Sequence, residues 1–156
     1  MKNKQKIRTM DANVLIKEVM TDTVITVHPD DTMDRVQRIF EQNTIHHLPV
    51  VSPTGKVVGM VSKSDYLKLL HGFTLFKAQK SAEYNKAILR SLLVEEVMTK
   101  QVATLTAEDS LLMAAGYFRE NLFHAIPIVD DDHNLVGILS TYDLISYAFR
   151  DARLEV

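Results

Sequence analysis

The sequence predicts an α/β (α+β) fold built from two βαββα units related by a pseudo-two-fold axis. Two observations carry that prediction. First, EVMTDTVITV (18–27) matches EVMTKQVATL (96–105), with Met20 and Met98 78 positions apart. The same spacing relates Asp31 to Asp109, Phe40 to Phe118, Asn43 to Asn121, His46 to His124, Pro49 to Pro127, Gly59 to Gly137, Ser62 to Ser140 and Asp65 to Asp143. A register this constant, without insertion or deletion, requires duplication of one structural unit. Second, the apolar residues of each copy switch between helical and strand periodicity in the same order.

The first unit opens on LIKEVM (15–20), and Val24, Ile25 and Val27 then form a short β-like stretch that Pro29 closes. A helix follows, with Thr32 at the N-cap position. Met33, Val36, Ile39 and Phe40 share one of its faces, and Asp34, Arg35, Arg38 and Glu41 the other. Residues 48–51 and 57–61 read as two strands joined by the tight turn SPTG (52–55). A helix from about Ser64 takes up Tyr66, Leu67 and Leu70.

The second unit repeats this order. Ser110 is the cap, Leu111, Ala114, Ala115 and Phe118 form the buried face, and strands 126–129 and 135–139 flank the acidic turn DDDHN (130–134). A helix from about Thr141 takes up Leu144, Ile145 and Ala148. Between the units, residues 71–91 carry little turn chemistry after Gly72, while Phe73, Phe76, Tyr84, Ile88 and Leu89 supply apolar contacts, so the linker is expected to be helical. The expected organisation is a tail at 1–12, a first repeat at 13–71, a linker at 72–91, a second repeat at 92–150 and a tail at 151–156. One such unit buries too little surface to offset its lost entropy, so the two should pack face to face.

Composition narrows the function classes. The chain of 156 residues is 46% hydrophobic, enough for a self-supporting core, and its 18 basic and 20 acidic side chains nearly cancel. Such a balance gives no overall field toward nucleic acid or an anionic membrane, and neither is expected as a partner. The absence of cysteine removes disulfides, thiolate metal sites and thiol catalysis, and fits a reducing compartment. No apolar run approaches the roughly 18 residues of a membrane span. The basic start MKNKQKIRTM (1–10) is followed by no signal-peptide core, so the expected location is cytoplasmic.

The chemistry concentrates where each second hairpin strand runs into its helix. In GMVSKSD (59–65) and GILSTYD (137–143) a strand ends at the serine and a helix begins within two residues, so free N–H groups and the positive dipole end face outward. Ser62 and Ser140 offer hydroxyls, Lys63 adds a charge that Thr141 does not repeat, and Asp65 and Asp143 stand in the first helical turn. A carboxylate there can accept two hydrogen bonds at once from vicinal ribose hydroxyls. Ser and Asp at a helix start also serve simply as caps.

HHLPVV (46–51) with GMVSKSDY (59–66), and HAIPIV (124–129) with GILSTYDL (137–144), resemble the motifs of a tandem cystathionine-β-synthase-type (CBS) domain pair, the Bateman module. The resemblance covers about residues 13–150 and includes VMT at the start of each repeat. It implies a non-enzymatic regulatory unit that binds AMP, ADP, ATP, S-adenosylmethionine or a related ligand, often as a homodimer, and reports to a separate effector protein. It also implies composite sites. Asp143 and Ser140 would face Thr21, Val24 and the stretch before Pro49, and Asp65 and Ser62 would face Thr99, Val102 and the stretch before Pro127. His46, His47 and His124 would stand near ligand phosphates, binding them weakly unless protonated. Ala125 replaces His47 in the second repeat, so the two sites are expected to differ.

Rival readings have less support. Six histidines and DDDH (130–133) could supply metal ligands, but no H-E-x-x-H helix is present. The acidic run is expected to form a solvated turn, with Asp130 to Asp132 able at most to help hold Mg2+ near a triphosphate. No G-x-S-x-G elbow marks a hydrolase. The remaining alternative keeps the fold and drops the ligand, leaving a dimerisation or docking module in which these polar residues are caps. The linker around Phe73 and Phe76 and the C-terminal helix with Tyr147 and Phe149 are candidate contact surfaces.

Overall fold

The computed structural model describes residues 11, 13–74, 81–120 and 123–150. After a 3-10 turn at Ile16–Glu18 come helix α1 (Met33–Gln42), strands β1 (His47–Val51) and β2 (Val57–Ser62), and helices α2 (Lys63–Thr74), α3 (Ser81–Ser91) and α4 (Val94–Val97). Strand β3 (Leu105–Thr106), helix α5 (Leu111–Arg119), strands β4 (Ala125–Val129) and β5 (Leu135–Ser140), and helix α6 (Thr141–Ala148) follow. β1 and β2 form an antiparallel hairpin; β4 and β5 form its counterpart, with β3 added parallel to β4. The registers repeat, since His47 faces Ser62 as Ala125 faces Ser140.

The opening strands are shorter than the alternation predicts. In the first repeat Val27 alone joins the sheet, donating its N–H to the Pro49 carbonyl at 3.2 Å and accepting from the Val51 N–H at 2.9 Å. The residues just before it are crossing to the other repeat. Thr21 exchanges two backbone hydrogen bonds of 2.9 Å with Ile138, and Thr99 exchanges bonds of 3.0 and 2.9 Å with Met60. Ile25 therefore lies on a crossing segment and stays exposed.

Gly59 and Gly137 make the crossing possible. A Cβ on Gly59 would lie 2.5 Å from the Met98 sulfur and 3.0 Å from the Thr99 carbonyl, and one on Gly137 2.6 Å from the Met20 sulfur and 3.1 Å from the Thr21 carbonyl. VMT of one repeat thus packs on the glycine of the other.

Because of the crossing, the two cores interlock. The first gathers Val27, Met33, Val36, Phe40, Leu48, Val50, Val61 and Tyr66, and adds Leu89 from α3 and Val94 from α4. The second gathers Leu105, Leu111, Ala114, Ile126, Ile128 and Leu139, and adds Val14 and Ile16 from the opening segment of the first repeat. Backbone groups follow the same exchange. Met33 N–H donates to the Leu92 carbonyl at 2.9 Å and Leu111 N–H to the Val14 carbonyl at 2.8 Å, so each helix start finds a partner in the opposite repeat's opening segment.

The hairpin turns also meet, with Leu135 N–H donating to the Gly55 carbonyl at 3.1 Å and Val57 N–H to the His133 carbonyl at 3.3 Å.

Some local expectations change. Thr32 stands at the N-cap with extended backbone, but its hydroxyl donates to the Asp34 carboxylate and does not cap the helix. Ser110 does cap, accepting the Met113 N–H at 3.2 Å. Leu67, Ile145 and Ala148 are exposed: α2 packs through Tyr66, Leu69 and Leu70, α6 through Leu144 and Tyr147, and the next residue round each helix faces away. The linker is helical over α3, where Leu89 is buried and Tyr84 is exposed. Phe76 and Asn121 lie outside the described residues, and of Phe73 only the backbone is described.

Candidate functional site

At the junction of β2 and α2, Ser62 ends the strand and Asp65 occupies the first helical turn. The Ser62 hydroxyl donates to Asp65 Oδ2 at 2.5 Å, and Asp65 N–H donates back to Ser62 Oγ at 3.1 Å. The second repeat is the same in kind: Ser140 donates its N–H at 2.8 Å and its hydroxyl at 2.6 Å to Asp143 Oδ2, and accepts the Asp143 N–H at 3.2 Å. The capping reading of these residues is therefore realised in both repeats, and the positive end of each helix already holds a carboxylate of its own chain. On Asp65, Oδ1 faces the exposed Lys68 ammonium at a loose 3.3 Å.

A cavity of about 260 Å3 opens beside the first junction. One wall is Met60, Ser62, Ser64 and Asp65 of the first repeat, with His47 from β1. The facing wall is Thr99, Gln101 and Val102, then Phe123, His124 and Ala125, all from the second repeat. The Met60–Thr99 bridge places Thr99 two residues from Ser62, which explains how the walls meet. The structure thus brings together His47, Ser62, Asp65, Thr99, Val102 and His124, six of the residues singled out from the sequence.

Others lie elsewhere. Lys63 begins α2 with its N–H on the His46 carbonyl at 2.8 Å, Thr141 begins α6 with its N–H on the His124 carbonyl at 3.0 Å, and neither side chain lines the cavity. The His46 side chain is exposed and does not line it either. Thr21 pairs with Ile138, two residues from Ser140. Val24 lines a second cavity of about 240 Å3 with Asp22, Thr26, Val51, Gly55, Leu135 and Val136, which includes neither Ser140 nor Asp143. Met60 and Gln101 went unread in the sequence, although the two-residue period of β2 puts Met60 on the same face as Ser62.

Asp65 brings a carboxylate to the cavity wall, and His47 and His124 are the bases that line it. Burial, helped by the His124 and His46 imidazoles, pushes the His47 pKa below its ordinary value against an opposing pull from Asp65. Asp130 lies well away from this chemistry: its carboxylate accepts the Asp132 N–H at 3.0 Å and the Asn134 N–H at 2.8 Å, closing its own exposed turn. Among the described residues no group of three or more His, Asp or Glu side chains could hold a metal ion, and no helix is long and apolar enough to cross a membrane.

The family model of the CBS domain matches residues 16–72 and 94–150. Protein MJ1225 of Methanocaldococcus jannaschii is 29% identical over 138 residues, which are 88% of this chain and 48% of that protein, so the chain spans about half its length. The crystal structure of MJ1225 is similar with a TM-score of 0.75, over 90% of this chain and 50% of that one. The CBS domain pair of protein MJ0100, solved in complex with 5′-methylthioadenosine and S-adenosyl-L-methionine, is 27% identical with a TM-score of 0.70, over 90% and 98% of the two chains. CBSX2 from Arabidopsis thaliana, solved in complex with AMP, is 25% identical with a TM-score of 0.71, over 89% and 98%.

Proposed function

The chain belongs to the CBS domain family, and from that premise we infer that it is a regulatory module whose cleft between the repeats takes an adenine nucleotide or another adenosyl compound (AMP, ADP, ATP or S-adenosylmethionine). The observation that carries this reading is the cavity beside Asp65, which has a carboxylate at a helix mouth on one side and an apolar shelf from the opposite repeat on the other. Val102 and Phe123 suit a purine face, and the neutral polar groups of Thr99, Gln101 and Ser64 suit its edge. A carboxylate offers about four lone-pair sites, so Asp65 can keep Ser62 on Oδ2 while a ribose hydroxyl replaces the loose Lys68 contact on Oδ1. Proteins similar over nearly the whole chain hold AMP, or 5′-methylthioadenosine and S-adenosylmethionine. The second set, Thr21, Val24, Ser140 and Asp143, would serve as a weaker counterpart, and Mg2+ would enter only with a triphosphate.

The output is a conformational signal, limited to the difference in ligand affinity between two arrangements of the protein. Its receivers are a second copy of the chain and an effector protein in the cytoplasm, and no reaction is assigned to the chain itself. The docking alternative is favoured by one observation, that the Ser–Asp pairs are already satisfied as caps. Calorimetric titration with adenosyl compounds decides between them. Asp65→Ala is expected to weaken binding by at least about tenfold, the loss of one charge-assisted hydrogen bond. Asp143→Ala is expected to change it less. Wild-type affinity in Asp65→Ala removes the ribose role, and absence of binding by any adenosyl compound leaves the docking reading.

A further inference from the structure

We propose that the cleft beside Asp65 selects adenosyl ligands without a phosphate, a neutral thioether nucleoside or its sulfonium, over anionic nucleotides at neutral pH. This rests on the adenosyl reading above and narrows it.

Charge sets the preference. Among the described residues that line the cavity, Asp65 supplies a carboxylate, and no lysine or arginine lines it. A helix N-terminus normally attracts an incoming phosphate. Here that place is already held by Asp65, locked to Ser62 through the hydroxyl and the Asp65 N–H. Lys68 approaches Asp65 from outside with a side chain 78% exposed, where solvent and salt screen its field. The bases within the cavity are His47 and His124, and imidazole is largely uncharged at neutral pH. Burial, with the His124 and His46 imidazoles acting in the same direction, disfavours the charged form of His47 against the opposing pull of Asp65 from α2. A phosphate dianion would thus enter beside a carboxylate with no permanent cation lining the site. A thioether brings no charge to repel, and a sulfonium is attracted to Asp65.

The test is calorimetric titration of the full chain with 5′-methylthioadenosine, S-adenosylmethionine, AMP and ATP at about pH 7.5, where histidine is mostly neutral. The phosphate-free pair is expected to bind at least about tenfold tighter than the nucleotides, since each tenfold corresponds to about 1.4 kcal/mol. His124→Lys, a permanent cation in the cavity wall, is expected to move the ratio of AMP to methylthioadenosine affinity about tenfold toward AMP. AMP or ATP binding as tightly as methylthioadenosine at that pH overturns the charge selection and leaves the adenosyl reading standing. Failure of all four compounds to bind overturns both.

Discussion

His133 holds φ at 68°, the left-handed region, at the position where the first repeat has Gly55 with φ at 86°. A side chain there costs about 1–2 kcal/mol that glycine avoids. His133→Gly is therefore expected to stabilise the protein by up to about 1 kcal/mol after the added freedom of the unfolded chain is subtracted, measured by urea unfolding.

The folded-state pKa of His47 lies below its ordinary 6.5, so the fold favours the neutral ring. As pH falls through about 6.5 the unfolded chain takes up a proton before the folded one does, and stability declines until the lower folded value is passed. His47→Gln should flatten this part of the decline; an unchanged slope below about pH 6.5 would show that His47 does not contribute.

Individual residues were legible unevenly. Asp65 and Ser62 stood out because their types repeat at a helix mouth. In the sequence Ala125 shows only as a missing histidine, although it forms part of the cavity wall.

Among the elements, α5 and α6 differ most from their counterparts. Leu112, Met113 and Tyr117 on α5, Tyr142 and Ile145 on α6, and Phe149 at the C-cap of α6 are large apolar side chains left exposed. The matching positions of the first repeat are Asp34, Arg35, Ile39, Ser64, Leu67 and His71, on helices that α3 packs against. A set of large exposed apolar side chains like this is what the core of a standard interface, roughly 800 Å2 per partner, buries. This favours a second copy, joined through the second repeat alone, as the occupant. Tyr142→Glu combined with Ile145→Glu is expected to raise the dimer dissociation constant at least about a hundredfold by sedimentation equilibrium. A wild-type chain that sediments as a monomer at about millimolar concentration would sink the idea.

The helices themselves were legible from their apolar spacing, as Met33, Val36 and Phe40 illustrate. The opening strands were not. Val24 and Ile25 have strand chemistry, but the pull that takes their backbone across the molecule comes from Met20, Thr21 and Gly137, far apart in sequence.

For the whole molecule, the interlocked cores fix how it folds. Ile16 is buried in the second core and Val94 in the first, each with no accessible surface. Removing a buried aliphatic side chain of this size from a core costs about 2–5 kcal/mol, a large share of a small domain's stability. Cutting the chain within the linker, after residue 78, would deprive each half of such residues. Fragments 1–78 and 79–156 are expected to be unfolded when separate, by near-ultraviolet circular dichroism, and the intact chain to unfold in one transition. Two resolved transitions, or a folded single half, would contradict the interlock. The duplication was legible at this scale because 78-residue spacing is a property of sequence alone. The exchange of opening segments was not, because either pairing of segments with cores satisfies the same apolar pattern.

The meeting of the hairpin turns, Gly55 with Leu135 and Val57 with His133, has a mechanical consequence. With the Thr21–Ile138 and Met60–Thr99 pairs it rivets the sheets through their main chains at three places, so the inner frame resists being prised open like a clam. The outer helices are held unequally: α2 buries Tyr66 in the first core, whereas α6 buries no side chain completely, so of the two α6 has the greater freedom to tilt without disturbing that frame.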